Sequence, residues 1–300
     1  MDGPFLDTRE IATYLGINEK QVYTLIHNRG LPATKITGKW LFPRHLVDRW
    51  VEAHVTSVPP LVPFLEGAKG LLLIAGSDDP LLDRLLSLYR KRYPDVIVLR
   101  SRAGSSEGML ALRRGLCHIA CVHLPHPSGG FSTDHVEEVF GQDAAAVTFA
   151  NRMQGLLLPA GNPHNLSTLQ EAVSAGLRWA LREPGTGTRA LFDRELDRLD
   201  NDPAPLLRNA IIVDTHLEVG LAVHRGETDV GMGIEAAARL TGLDFLPLRE
   251  ERFDFVIQKQ TFFAGPVQNL LELLGTPEFA DLAVRLGGYD IAATGRIITP

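Results

Sequence analysis

Residues 182–189 read Arg-Glu-Pro-Gly-Thr-Gly-Thr-Arg, a Gly/Thr loop between a strand-like run at 177–181 and a helix-like run at 190–199. A loop of this kind leaves backbone amides and hydroxyls at the positive end of a helix dipole, which is a seat for an anion. Three further turns share the character: Gly76-Ser77-Asp78, Gly104-Ser105-Ser106 and Asp214-Thr215-His216. Ser77, Ser105, Ser106, Thr186, Gly187, Thr188, Arg189, Thr215 and His216 are therefore the candidate ligand-binding residues. His123 joins them, because it ends an apolar strand where such a strand meets a cleft. Neutral donors gathered from several turns can hold a doubly charged group with little help from lysine. Ser and Thr are also good helix caps, so any one of these turns taken alone is explained by capping.

Other chemistries find less support. The chain has no Gly-x-Ser-x-Gly elbow, no Walker loop and no dinucleotide fingerprint, and nothing in the sequence supplies a base beside Thr186. No catalytic residue and no cofactor is assigned. Cys117-His118-x-x-Cys121-x-His123-x-x-His126 has the residue types of a metal cluster. On a strand, however, Cys121 and His123 share one face and His118 takes the other, and no second Cys/His group stands at zinc-finger spacing. Both cysteines are read as buried packing residues and no metal site is assigned.

The elements that must position these residues alternate. From residue 70 onward, apolar strands at 71–75, 96–99, 118–123, 144–149, 177–181, 210–213, 229–232, 245–247 and 253–258 are separated by helix-like runs, the pattern of an α/β sheet. In such sheets ligands bind outside the carboxyl ends of the strands. No internal repeat is evident in the sequence.

The first 56 residues differ. Asp7-Thr8 with Glu10 caps a helix bearing Ile11, Ala12 and Leu15, and Gly16 stops it. Asn18 caps a second helix bearing Val22, Leu25 and Ile26. A hairpin around Thr37-Gly38 follows, then a third helix at 44–51 with Leu46, Val47 and Trp50 turned inward. This is a winged helix-turn-helix pattern. Lys20, Gln21, Tyr23 and Thr24 would face the major groove, and Lys35, Lys39 and Arg44 would grip phosphates. Trp40, Phe42 and Trp50 sit at packing positions. Residues 1–56 carry a net charge of +1 within a chain of −6, leaving −7 for the rest.

Residues 6–52 resemble excisionase-like, MerR-related winged helix-turn-helix modules through Ile11-Ala12-x-Tyr14-Leu15-Gly16-Ile17, Val22-Tyr23, Leu31-Pro32-Ala33, Gly38-Lys39-Trp40-x-Phe42 and Trp50. Residues 71–258 resemble type II periplasmic binding proteins, and more narrowly a molybdate-binding-protein-related domain found fused to helix-turn-helix modules. That likeness rests on Ala75-Gly76-Ser77-x-Asp79-Pro80, Gly104-Ser105-x-Glu107-Gly108, Arg152-x-Gln154-Gly155, Pro184-Gly185-Thr186-Gly187-Thr188-Arg189, Thr215-His216 and Asp229-Val230-Gly231-x-Gly233. It implies an α/β fold with two lobes, a ligand cleft between them, and crossover strands at 144–159 and 248–256. Asp78 departs from the pattern, since many relatives have a histidine or another non-acidic residue there. A carboxylate so close would repel an oxyanion unless it turned away to cap its own helix.

The domain expectation is a winged helix-turn-helix at 1–56, a Pro-rich linker at 57–69 and a two-lobed domain at 70–300. Lobe 1 would hold about 70–150 and 250–300, and lobe 2 about 151–249. Two cysteines make no disulfide framework, and no apolar run approaches the ~20 residues of a membrane span. The expectation is a cytoplasmic transcriptional regulator that binds double-stranded DNA as a homodimer, has no membrane association, and senses molybdate or tungstate. Another anion, a small organic acid, an enzyme on the same fold and a non-DNA scaffold stay as alternatives.

Overall fold

A computed structural model describes residues 5–36, 38–53, 70–123, 134–202 and 204–298. The chain divides into two compact units, Met1–Pro59 and Pro60–Pro300. The linker at 57–69, Thr37 of the wing and His126 lie outside the described residues.

In the first unit, helix Thr8–Leu15 is opened by Asp7, whose side chain accepts from the Arg9 and Glu10 amides, and Glu10 returns the bond to the Asp7 amide. Asn18 and Gln21 make the same reciprocal cap on helix Glu19–Arg29. Each such cap contributes about 1 kcal/mol. Gly16 and Gly30 end the two helices in left-handed backbone. Three short strands follow a 1-3-2 order: β1 (Phe5–Leu6) and β2 (Thr34–Ile36) flank β3 (Lys39–Pro43). Helix Arg44–Ala53 completes the unit. Leu6, Ile11, Ala12, Val22, Leu31, Phe42 and Val47 form the core, and Trp50 packs on it while donating Nε1 to the Arg29 carbonyl at 2.9 Å. Leu46 does not turn inward. It is 38% exposed, because on this 10-residue helix Val47 and Trp50 already fill the face that meets the core.

The second unit is a mixed sheet in the order β5-β4-β6-β11-β7-β10-β8-β9. Its strands are β4 (Leu71–Gly76), β5 (Ile97–Arg102), β6 (Ile119–Val122), β7 (Ala144–Leu158), β8 (Trp179–Arg182), β9 (Ile211–Val213), β10 (Val230–Ile234) and β11 (Asp244–Gln258); β12 (Tyr289–Asp290) and β13 (Ile297–Ile298) pair with β7. Each half repeats one topology. In the first, β4 lies between parallel neighbours β5 and β6; in the second, β8 lies between parallel neighbours β9 and β10. β7 and β11 run antiparallel through both halves, 15 residues each, and tie them into two lobes.

Apolar clusters pack on both sides of the midpoint of these long strands, and the two largest lie one in each half. Val147, Phe149, Phe253 and Phe255 belong to the first, with Leu72, Leu82 and Phe279; Leu156, Leu158, Trp179, Phe192 and Met232 form the second. Sequence patterning reads β11 as two short strands because Pro247 and the charged run Arg249-Glu250-Glu251-Arg252 interrupt its apolar character. The backbone instead continues through them, with register shifts between Pro247 and Arg249 and between Phe253 and Asp254. Such bulges let a strand bend while pairing persists. They bracket the Arg152↔Glu251 pair, which marks the crossing from one lobe to the other.

Candidate ligand-binding site

The carboxyl ends of β4, β5 and β6 in one lobe face those of β8 and β9 in the other. At the end of β4, Gly76 has φ +119°, and a Cβ there would run into the Cys121 carbonyl. The Ser77 amide donates to that same carbonyl at 2.8 Å, which turns the chain and lifts Ser77 and Asp78 over the cleft. Ser77 Oγ and Ser105 Oγ share a hydrogen bond of 2.8 Å. Ser105 Oγ accepts from the His123 amide at 3.2 Å and lies 3.2 Å from His123 Nδ1. From the opposite lobe, Gly187 opens helix Gly187–Arg198 directly against the His123 ring; a methyl at Gly187 would overlap Nε2. Ser77, Ser105, His123, Gly187 and His216 thus come together where the lobes meet, and all but Gly187 are buried.

The other candidate residues are spent differently. Thr186 donates its hydroxyl to the Glu183 carbonyl at 2.8 Å and caps its own helix. Thr215 caps helix His216–His224 and Glu218 completes the box. Thr188 is buried at the helix start, while Ser106 is exposed on the cavity wall. Helix Gly104–Arg113 starts at Gly104, so Ser105 and Ser106 sit in its first turn rather than before it. Arg189 does not aim its charge at the cleft. Its Nε donates to Asp193 Oδ1 at 2.8 Å, one turn along the same helix, the short-range partner that spacing favours.

The charge at the site comes from arginines absent from the candidate set. Arg182, at the end of β8, donates Nη2 to the Asp214 carbonyl at 2.5 Å. Arg152, in mid-β7, donates Nη1 to Asp79 Oδ2 and Nε to Glu251 Oε1, both at 2.6 Å, and Nη1 also reaches the Asp78 carbonyl at 3.2 Å. Burial works against the Arg152 charge, but Glu251 and Asp79 outweigh it and its pKa is raised. Burial pulls Arg182 below its ordinary value, with Asp78 opposing. Burial also lowers the pKa of His123, and lowers that of His216 well below its ordinary value, so both imidazoles are neutral near pH 7. The sequence signal for Arg152 and Arg182 was present: each is a charge inside an otherwise apolar strand.

Asp78 behaves differently from either expectation for it. Asp79, not Asp78, caps helix Pro80–Arg92, accepting from the Leu82 amide at 2.9 Å. Asp78 crosses the cleft and accepts from the His216 amide with Oδ2 at 3.1 Å. The site therefore contains a carboxylate facing buried donors. Among the described residues, His123 Nε2, Arg152 Nη2, Arg182 Nε and His216 Nδ1 are buried side-chain nitrogens without a hydrogen-bond partner. Buried polar atoms left so are costly, and four in one cleft mark capacity for a further group. Outside them a cavity of about 510 Å³ opens, lined by Arg102, Gly104, Ser106 and Glu107 of one lobe and Arg182, Glu183, Thr186, Asp214 and Glu218 of the other.

Cys117 and Cys121 are buried, and burial pushes both thiols up to about 12. His118 accepts from the Leu73 amide through Nδ1 at 3.0 Å. Among the described residues no group of three or more His, Cys, Asp or Glu side chains could hold a metal ion, and no helix is long and apolar enough to cross a membrane.

On the first unit, Lys20, Gln21, Tyr23, Thr24, Lys35 and Lys39 are exposed and Arg44 is half-buried. Gln21 Oε1 is engaged in its cap, Thr24 donates to the Lys20 carbonyl, and Arg44 lies over the Tyr14 ring at 5.4 Å.

Comparison with known proteins places both units. Residues 86–275 match the PBP superfamily domain and residues 5–55 a helix-turn-helix domain. The chain is 26% identical over 301 residues to the uncharacterized protein YvgK of Bacillus subtilis (strain 168), covering 96% of each. It is 31% identical over 110 residues to an uncharacterized protein encoded in the 5' region of a Clostridium pasteurianum 2Fe-2S ferredoxin gene, covering 36% of this chain and 97% of that one. Among solved structures it resembles a protein assigned as a phosphate ABC transporter substrate-binding protein, with bound phosphate, from Clostridium perfringens (TM-score 0.55, 15% identity, 72% of this chain and 97% of that one). It also resembles an ABC-type phosphate transport receptor from Vibrio cholerae (TM-score 0.50, 17% identity, 73% and 98%). At these identities the likeness to solved structures concerns the fold.

Proposed function

The chain belongs to the PBP superfamily and carries an N-terminal helix-turn-helix domain, and on that footing we propose that it is a ligand-responsive transcriptional regulator. The helix-turn-helix unit binds duplex DNA, the two-lobed unit closes on a small anion, and the protein reads a palindromic site as a homodimer inside the cytoplasm. The observation that carries the reading is the set of buried, unpartnered nitrogens on His123, Arg152, Arg182 and His216 at the lobe junction. Arg152 comes from the hinge strand, Arg182 and His216 from one lobe and His123 from the other, so a bound anion would reward closure with contacts that the open form cannot offer. Binding rather than catalysis is the role: Ser105 Oγ lies 3.2 Å from His123 Nδ1, but that hydroxyl is shared with Ser77 Oγ and the His123 amide, and His123 Nε2 has no partner to orient the ring as a base.

Molybdate and tungstate are the first ligands to test, since a compact tetrahedral dianion suits converging neutral and cationic donors. A small carboxylic acid is the second reading. It is favoured by the Asp78 carboxylate at the His216 amide, which illustrates the chemistry this seat accepts, and by the cavity of about 510 Å³, which exceeds what a tetrahedral oxyanion needs. The test selects tight binders from random duplexes with the full-length protein, then titrates them with and without molybdate, tungstate, phosphate and succinate. Saturable, salt-dependent duplex binding that shifts with one of these anions is expected. Duplex binding that none of them moves would contradict the regulator.

A further inference from the structure

Asp78 lies just past the end of β4 in lobe 1 and caps no helix, because Asp79 supplies the cap of the helix that follows. Its side chain is 5% exposed and its carboxylate is surrounded by donors. Oδ2 takes the His216 amide, the first of a nine-residue helix in lobe 2, at 3.1 Å. Arg182 Nη1 stands 3.9 Å from Oδ2, and Arg102 Nε and Arg100 Nη2 stand 3.3 and 3.9 Å from Oδ1. A carboxylate at a helix N-terminus with arginines around it occupies the place a bound anion would take. Arg182 Nε and His216 Nδ1, both buried, have no partner among the described residues, so the seat holds more donors than Asp78 uses.

Resting on the anion-sensor reading, we propose that Asp78 is a resident carboxylate that competes with the ligand for this seat and thereby sets both the affinity and the charge class of the anion admitted. The Asp78 bond to the His216 amide links lobe 1 to lobe 2 and draws the cleft only partly shut, leaving closure for an anion to complete. An incoming anion takes over the His216 amide and Arg182, and Asp78 swings back toward Arg100 and Arg102, which already flank it. Two unscreened negative charges at this distance repel strongly in a buried site, so the cleft discriminates against ligands that cannot displace the carboxylate. A dianion meets the greater repulsion and gains most from removal of the Asp78 charge.

Asp78→Asn and Asp78→Ala in the full-length protein separate charge from tether. Asparagine keeps an oxygen for the His216 amide and loses the charge; alanine loses both. Calorimetry with molybdate, phosphate and succinate is expected to give at least tenfold tighter binding of the accepted anion in both variants. Spin labels at Arg90→Cys and Arg198→Cys, exposed positions on opposite lobes, are expected to report a longer distance in ligand-free Asp78→Ala, unchanged in Asp78→Asn, and shortened again by the anion. An anion that binds wild type but binds the variants equally or more weakly overturns the proposal and leaves the sensor reading standing. Heat in none of the proteins sinks the sensor reading itself. The label distance then decides the tether: expansion in Asp78→Ala upholds it, and an unmoved distance overturns it.

Discussion

Arg152 donates Nη1 to Asp79 Oδ2 at 2.6 Å with both side chains sealed from solvent. The two residues belong to different parts of the machinery. Arg152 marks the middle of the hinge, and Asp79 fixes the start of the helix beside the cleft. Glu251 on the second hinge strand takes the Arg152 Nε, Gln154 donates to the other Glu251 oxygen, and Tyr289 donates to Asp79 Oδ2 at 3.1 Å. One buried network therefore connects both long strands to the floor of the proposed binding site.

Removing Arg152 leaves Asp79 and Glu251 buried without their counter-ion. Arg152→Ala should lose about 3–5 kcal/mol of unfolding free energy in urea. Arg152→Lys should lose less but still fail to restore wild-type stability, since one ammonium cannot reach both carboxylates with the geometry of a guanidinium. A loss under 1 kcal/mol in Arg152→Ala would mean that the network relaxes without it.

Gly187 sets its backbone against the His123 ring across the cleft, with no room for a side chain. Gly187→Ala should push the His123 ring away, hold the cleft open and weaken anion binding by at least tenfold, with duplex binding by the ligand-free protein unchanged. Calorimetry and a duplex titration read the two effects apart.

Burial pushes Asp254 up from 3.8 to about 6, with Arg252 opposing. A carboxyl whose folded pKa is raised binds protons in the folded state before the unfolded one, so its contribution falls as pH climbs from about 4 to 6 and stays low above that. Relative to Asp254→Asn, the wild type should lose on the order of 1–3 kcal/mol across that window. Parallel stability profiles for the two proteins would contradict the assignment.

The two cleft histidines carry the opposite sign. Their folded pKa values lie below the ordinary 6.5, so the unfolded chain takes up protons first and stability falls as pH drops below about 6.5. His216→Asn should flatten that fall relative to wild type. Histidine NMR should show neutral imidazoles at pH 7, and a titration of His216 near 6.5 in the folded protein would exclude the buried neutral state.

For the DNA unit, Lys39→Ala should weaken duplex binding uniformly across sequences and reduce the salt slope by about one. A loss confined to one duplex sequence would make Lys39 a base reader.

What the sequence makes legible is local. Asp7 with Glu10 and Asn18 with Gln21 announce their helices because a cap and its partner are three residues apart. The Gly-Ser and Gly-Thr turns announce strand ends because Gly76, Gly104 and Gly185 take the positive φ at which the chain leaves its strand. Residue patterning hides the long second hinge strand, since Pro247 and Arg249-Glu250-Glu251-Arg252 look like a loop until β7 supplies a partner for them; the family resemblance alone places a crossover there, at 248–256. The repeated lobe topology is hidden too, because β4 is Leu-Leu-Leu-Ile-Ala-Gly and the equivalent β8 is Trp-Ala-Leu-Arg. Arg189 looks like the anion's counter-charge, yet its helix gives it Asp193; in the proposed site Arg182 and Arg152 take that place, set there by contacts 32 to 99 residues apart in sequence. Asp78 and His216 are 138 residues apart, and nothing local says that they meet.

In the proposed sensor, donors from both lobes and the hinge converge on one small anion. Calorimetry of molybdate, tungstate, phosphate, sulfate and succinate against wild type, Arg182→Ala and His123→Ala tests it most directly. One anion should bind wild type with one-to-one stoichiometry and lose at least tenfold in affinity in each variant, although the two changes lie in opposite lobes. Binding that survives both substitutions, or heat from none of the anions, would contradict it.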